Sequence, residues 1–172
     1  CGSPFKVADP VYPHSPYAVS KLEAEQVLEL LFADTAINLV ILRSPLVYGV
    51  DAPGNVRLIS QMIKYKIPIP LGAISNKKSF IHVDNLTNVL ALCLTYRKVL
   101  HRVILPSDGF DLSTKEFVEI IGVLMGKTPV IVRVFPRLIG GFLRLIGKKR
   151  LSESLLNDLQ VDSQYLFDEL RW

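Results

Sequence analysis

Tyr17 and Lys21 stand four residues apart in the run Tyr17-Ala18-Val19-Ser20-Lys21. Pro16, just ahead of them, has a fixed φ suited to a helix start, and the stretch from Tyr17 to Phe32 is rich in helix formers and free of Gly and Pro. Positions i and i+4 share a helix face, so the spacing sets a primary ammonium beside a phenol. A phenol with an ordinary pKa of about 10 is a poor base at neutral pH, and a cation held close favours its phenolate. Such a pair can exchange a proton with a substrate hydroxyl. Tyr and Lys at this spacing also occur on amphipathic helices that do no chemistry.

The surrounding stretch runs Pro4-Phe5, Asp9-Pro10-Val11-Tyr12-Pro13-His14-Ser15-Pro16-Tyr17, then Ser20-Lys21 and Ala24-Glu25. It resembles the active-site segment of the extended short-chain dehydrogenase/reductase family, the NAD-dependent epimerases and dehydratases of nucleotide sugars. The pattern there is P-x-x-P-Y-x-x-S-K-x-x-x-E, and this chain matches its Tyr, Ser, Lys and Glu. The resemblance implies that Tyr17 and Lys21 are catalytic and also touch the cofactor, NAD or NADP. In that scheme NAD accepts a hydride from the sugar C4 while Tyr17 takes the hydroxyl proton. Lys21 hydrogen-bonds the nicotinamide ribose, and hydride return to the other face of the 4-keto sugar gives epimerisation. Two alternatives stay open: an NAD(P)H-dependent reductase of a 4-keto-6-deoxy nucleotide sugar, and a non-catalytic NADP- or sugar-nucleotide-binding protein of the same fold.

Around that helix the residues read as alternating α and β. Residues 1–16 form a proline-rich extended loop of the kind that covers a site. Ala36 to Arg43 is a short β-branched run, expected as a strand buried in a parallel sheet. Ser44-Pro45-Leu46-Val47-Tyr48-Gly49 leaves that strand at its C-terminal end, where open α/β sheets bind ligands. It is similar to the family's R-x-x-x-x-Y-G stretch, which implies that Ser44, Pro45 and Leu46 lie by the nicotinamide ring. Many relatives carry an Asn where this chain has Leu46 or Val47. Tyr48 is then a substrate contact or a ring packed under the loop.

Asp51 to Asn55 reads as a turn ahead of a helix from Val56 to Lys66. Asn55 falls where the family places an amide on the substrate diphosphate, and Asn is also an ordinary helix cap. Lys78-Ser79-Phe80-Ile81-His82-Val83-Asp84 resembles the family's R-D-F-[IV]-x-V-x-D segment. Lys78 there replaces an Arg that approaches the nucleotide phosphates, or else is a solvated turn lysine. His82 is expected as a packed histidine and Asp84 as the cap of a helix from Asn85 to Tyr96. Further strands are expected over Arg102 to Leu105 and Pro129 to Val134. Helices are expected from Ser113, with Glu116 completing a capping box and Gly126 as the stop, and from Pro136 to Ile146, interrupted at Gly140-Gly141. The Lys148-Lys149-Arg150 end of that helix invites a membrane-surface or phosphate reading, but suits better solvated cations that complement the dipole at a helix C-terminus. Arg150 is kept as a phosphate candidate. The ending, Val161-Asp162-Ser163 to Leu170-Arg171-Trp172, resembles the family's V-D-x-x-K-x-x-x-x-L-G-W and reads as a short strand, an Asp or Ser cap and a last helix.

The net charge of +4 is modest and the cations are spread out, which suits an anionic small molecule such as a UDP- or dTDP-sugar and does not call for nucleic acid. No apolar run approaches the roughly 18 residues of a membrane span. Cys1 and Cys93 suggest neither a disulfide framework nor a metal site, which fits a reducing cytoplasm. The fold class is therefore α/β: the C-terminal part of a Rossmann-type parallel sheet up to residue 50, and a small substrate-binding lobe over 51–172. The Gly-rich pyrophosphate loop of the family is absent from the sequence. With its Cys1-Gly2-Ser3 start, the chain is expected to be the second half of a longer protein, by itself inactive. Pro-Leu-Val-Tyr-Gly and Pro-Ile-Pro-Leu-Gly are similar to segments of members from bacterial surface-polysaccharide pathways. Helices flanking the sheet pair into dimers in this family, so Tyr17 to Ala33 is the expected homodimer interface.

Overall fold

The structure, a computed structural model, describes residues 3–49, 54–95, 103–170 and 172; of residues 149, 150, 169 and 170 it describes the backbone alone. The expected turn at Asp51 and the strand start at Arg102 lie outside the described residues, as does Cys1. The elements follow as α1 (Pro16–Phe32), β1 (Ile41–Leu42), β2 (Leu46–Tyr48), α2 (Asn55–Lys64), β3 (Lys78–His82), α3 (Val83–Thr95), β4 (Val103–Ile104), β5 (Asp111–Leu112), α4 (Thr114–Leu124), α5 (Pro136–Leu145), α6 (Lys149–Leu156) and α7 (Gln164–Leu170).

β1 and β4 pair in parallel, Ile41 opposite Val103 and Leu42 opposite Ile104. This ladder joins residues on either side of position 50. The expected strand over 36–43 is reduced to Ile41–Leu42. A second sheet runs β2-β3-β5, with Leu46 opposite Phe80 in a parallel pair and Lys78 opposite Leu112 in an antiparallel one. β3 lies at its centre, and four of its five residues are buried, which calls for cover on both faces.

Two apolar clusters fill the interior. Ile59, Ile63, Phe80, Phe117, Val118 and Ile139 anchor the one under the larger sheet, where Phe80 and Phe117 stack with centroids 4.3 Å apart. Val89, Ile104 and Leu166 anchor the other, with Cys93 packed against it. Burial pushes the Cys93 thiol pKa up, as suits a structural cysteine.

Several elements depart from their sequence signals. Asp84 is not a cap: β3 runs directly into α3, so Asp84 falls in the first turn and its N–H donates to His82 Nδ1 at 3.3 Å. Asn55 is not a cap either, because Gly54 occupies that position with φ 72°. The stretch over 129–134 makes a single parallel bridge, Ile131 to Ile69. Pro68 and Pro70 flank Ile69 and have no N–H to extend the ladder. α5 is not interrupted at its glycines; Gly140 instead lets Leu156 of α6 approach to where a Cβ would be 3.2 Å from it. The basic triad is not a helix end. α5 stops at Leu145, and Lys148 and Lys149 open α6. The Ser113–Glu116 capping box is present as expected, and Gly126 follows α4 with φ 63°.

Asn76, absent from any sequence signal, joins three segments ahead of β3. Its Oδ1 accepts from the Thr114 N–H at 2.9 Å, and its Nδ2 lies 3.0 Å from the Leu155 carbonyl and 3.1 Å from that of Asn157. Asn76 is buried, so Asn76→Ala would strand these partners away from water and should cost about 2–3 kcal/mol of unfolding free energy in a denaturant titration. Asn38→Ala, at an exposed loop position, should cost less than about 0.5 kcal/mol.

Candidate active site

α1 begins as its sequence demands. Ser15 is the N-cap, its Oγ accepting from the Ala18 N–H at 3.1 Å, and Pro16 fills the first helical position. Tyr17 and Lys21 then fall one turn apart, with Lys21 Nζ 5.6 Å from the centroid of the Tyr17 ring. Tyr17 is 67% exposed, and among the described residues neither its hydroxyl nor Lys21 Nζ has a hydrogen-bond partner. Two polar groups capable of holding a ligand are thus left free side by side. Ser20 Oγ instead donates to the Tyr17 carbonyl at 2.9 Å, within the helix.

One turn beyond Lys21, Glu25 receives a fork from Arg43: Nη2 to Oε2 at 2.6 Å and Nε to Oε1 at 3.2 Å. Arg43 in turn donates its backbone N–H to the Ile104 carbonyl at 2.9 Å. The fork is partly buried and ties α1 to the C-terminal end of β1. The two partners are in the sequence pattern, but nothing local says that they meet. Ser44 is exposed, Pro45 half-buried, and Leu46 opens β2 three residues past Arg43.

A second group assembles where Leu46, Asn55, Lys78 and Ser154 line a cavity of about 20 Å³. Asn55 Nδ2 donates to Ser154 Oγ at 3.0 Å, and Lys78 Nζ donates to the Ser154 carbonyl. Lys78 is not a solvated turn lysine: it is a strand residue, 3% exposed. Burial pulls its pKa down to about 8, against the opposing pull of the Asp158 charge. Ser154 carries no sequence signal; only the packing of α6 onto β3 brings it here. The side chain of Arg150 lies outside the described residues.

Tyr48 is engaged inside the sheet. Its hydroxyl donates to Asp108 Oδ2 at 2.8 Å, and its ring meets those of His82, Phe117 and Phe80 edge-on, at 5.1, 5.8 and 6.3 Å. Asp108 also accepts from Asn85 Nδ2 at 2.8 Å and from the His82 N–H at 3.1 Å. Burial, then the Asp108 hydrogen bond and its charge, push the Tyr48 pKa up to about 12. No spacing along the chain brings Asp108 to Tyr48, His82 and Asn85; only the packing of the turn after β4 does. The Gly109 that follows has φ +82°, and a Cβ there would meet the Phe167 ring at 2.8 Å.

Residues 2–104 match the sequence pattern of a known family, described as the NAD dependent epimerase/dehydratase family. The chain belongs to that family. It is 34% identical over 176 residues to a UDP-glucose 4-epimerase of Vibrio cholerae, covering 99% of this chain and 52% of that protein. The fold is shared with a dTDP-glucose 4,6-dehydratase, DesIV, from Streptomyces venezuelae with NAD and TYD bound (TM-score 0.70, 20% identity, 99% of this chain and 49% of that one). It is shared too with a UDP-glucose 4-epimerase from Thermotoga maritima with UDP-glucose (TM-score 0.67, 18% identity, 98% and 51%). The chain therefore spans about half the length of these relatives. Among the described residues, no helix is long and apolar enough to cross a membrane.

The lowered pKa of Lys78 gives a pH signature. Its folded value, about 8, lies below the 10.5 of the open chain, so the unfolded state binds more protons between the two and stability rises with pH across that window. The stability of the parent minus that of a Lys78→Met variant should therefore increase by on the order of 2 kcal/mol between pH 7.5 and 10.5 in paired denaturant titrations. A flat difference would mean that the ammonium is solvated.

Proposed function

We propose that this chain supplies the proton-transfer pair and substrate lobe of an NAD-dependent nucleotide-sugar epimerase acting at C4 through a 4-keto sugar. The observation that carries the reading is the free Tyr17–Lys21 pair on a helix locked to the sheet by Glu25 and Arg43. The 34% identity to a UDP-glucose 4-epimerase supports the same class. In this reading the residues up to 50 end a dinucleotide-binding domain, to which β4 returns, and those beyond 50 form the lobe that takes the sugar nucleotide.

In this reading the unpartnered phenol and ammonium take the nicotinamide-ribose end of a dinucleotide, together with Ser44 and Pro45 on the loop that leaves β1 and Leu46 at the start of β2. When bound, NAD supplies a hydride acceptor and returns the same hydride, so no net oxidation results. Tyr17 Oη takes the proton of the C4 hydroxyl as that carbon is oxidised and gives it back on reduction. Lys21 donates to a ribose hydroxyl and sets its charge beside the phenol. Asn55 and Lys78 are donors for the substrate diphosphate, with Arg150 as a further cation from α6, and Ser154 holds the first two in place until a diphosphate takes them over. Tyr48, its hydroxyl committed to Asp108, shapes the floor of the site. The working protein in this reading is a dimer paired through α1.

Incubating the full-length protein with NAD and a panel of UDP- and dTDP-sugars should interconvert C4 epimers with no net change at the nicotinamide absorbance. Stoichiometric NADPH loss with a 4-keto sugar would instead make it a reductase, and tight cofactor binding without turnover would make it a binding protein. Tyr17→Phe, which removes only the hydroxyl, should lower kcat by about 10²–10⁴-fold while leaving sugar-nucleotide affinity within a few-fold. Unchanged turnover would remove Tyr17 from the chemistry.

A further inference from the structure

α5 divides into three stripes. Ile139 and Gly140 face the core, with Leu143 packed beside them. Phe135, Leu138, Phe142, Leu145 and Ile146 form a continuous apolar arc at helical spacing that faces solvent, Phe142 being 62% exposed and Leu145 85%. Arg137 and Arg144 recur at i and i+7 on the remaining side, next to the apolar arc, and Lys148 follows just past the end of the helix. From Pro129 to Arg150 the sequence holds six cations, Arg133, Arg137, Arg144, Lys148, Lys149 and Arg150, and no acidic residue. The net charge of the whole chain is only +4, so this stretch is far more basic than the rest.

Large apolar side chains held in water beside an unbroken run of cations are the signature of a helix that lies in a bilayer interface. We infer that α5 docks the protein on an anionic lipid surface, with Leu138, Phe142 and Leu145 entering the headgroup boundary and the flanking cations on lipid phosphates. The charge pattern separates this face from the exposed apolar residues of α1. α1 also exposes Val27, Leu30 and Leu31, but it interleaves them with Glu23, Glu25 and Glu29, which an anionic surface would repel. It separates lipid from nucleic acid as well, because phosphate contacts alone gain nothing from exposed Leu138, Leu145 and Ile146. The space behind the helix suits the same partner. Leu138 and Phe142 also line a cavity of about 450 Å³ between α2, α5 and α6, apolar except for Asn55, into which an acyl chain could pass. This inference stands apart from the catalytic reading, and its test needs no turnover.

The test is flotation of the full-length protein with vesicles of phosphatidylcholine alone and with about a third phosphatidylglycerol. Binding to the anionic vesicles and not to the neutral ones is expected, weakening several-fold as salt rises to about 0.5 M. Leu145→Glu should reduce the bound fraction roughly tenfold. Leu94→Glu, at a position 87% exposed on α3, should leave it unchanged, and both variants change an exposed side chain and should fold. No binding to anionic vesicles would overturn the inference, as would equal loss in the two variants. So would a Leu145→Glu variant that lost a dimer in sedimentation without changing vesicle binding, since a second copy would then cover α5. Binding to duplex DNA with the same Leu145→Glu sensitivity and no vesicle binding would assign the face to nucleic acid and likewise overturn it.

Discussion

The fork from Arg43 to Glu25 is the constraint that gives the Tyr17–Lys21 pair a fixed place. No residue of α1 is buried, so packing alone does little to fix the rotation of the helix about its axis. Tyr17, Lys21 and Glu25 follow at i, i+4 and i+8, and holding Glu25 therefore sets the direction in which the other two point. A planar guanidinium with two parallel bonds also resists twisting in a way that a single ammonium contact would not. Arg43 is itself held by its backbone bond to Ile104 and is followed at once by the loop to β2. One ion pair thereby relates helix, sheet and loop.

Beyond β2 the corresponding constraints are polar groups taken out of water. Asn76, Lys78 and Asp108 each meet partners that are 20 or more residues away in the chain. Burying such groups is costly unless every donor and acceptor is met, and among the described residues no buried side-chain nitrogen or oxygen lacks a partner. The apolar cluster holds β3, α2, α4 and α5 together without choosing their offsets; the polar nodes choose them. Asp108 sets the turn after β4 against β2 and α3, and Asn76 sets α4 and the end of α6 against the approach to β3. Lys78 is the exception in cost. Its ammonium is held by a carbonyl in a site that disfavours the charge.

The sequence by itself determined whatever depends on neighbours within a turn or two of helix. Ser15 and Pro16 start α1, Ser113 and Glu116 start α4, and the spacing of Tyr17 and Lys21 puts ammonium beside ring, because each needs only local geometry. The α/β class and the order of elements were legible for the same reason, in the alternation of helical runs with short β-branched ones. Only the tertiary structure decided the rest. Lys78 reads as a cation for the nucleotide phosphates or as a solvated turn lysine, and only the packing of α6 onto β3 shows it buried. Asp84 read as a cap because nothing local reveals that β3 enters α3 without a turn, and Pro68 and Pro70 cut the pairing of a segment some 60 residues further on. Asn76, Asp108 and Ser154 were silent because a buried polar side chain is recognised by its partners. Those partners come from distant segments, and no spacing along the chain encodes them.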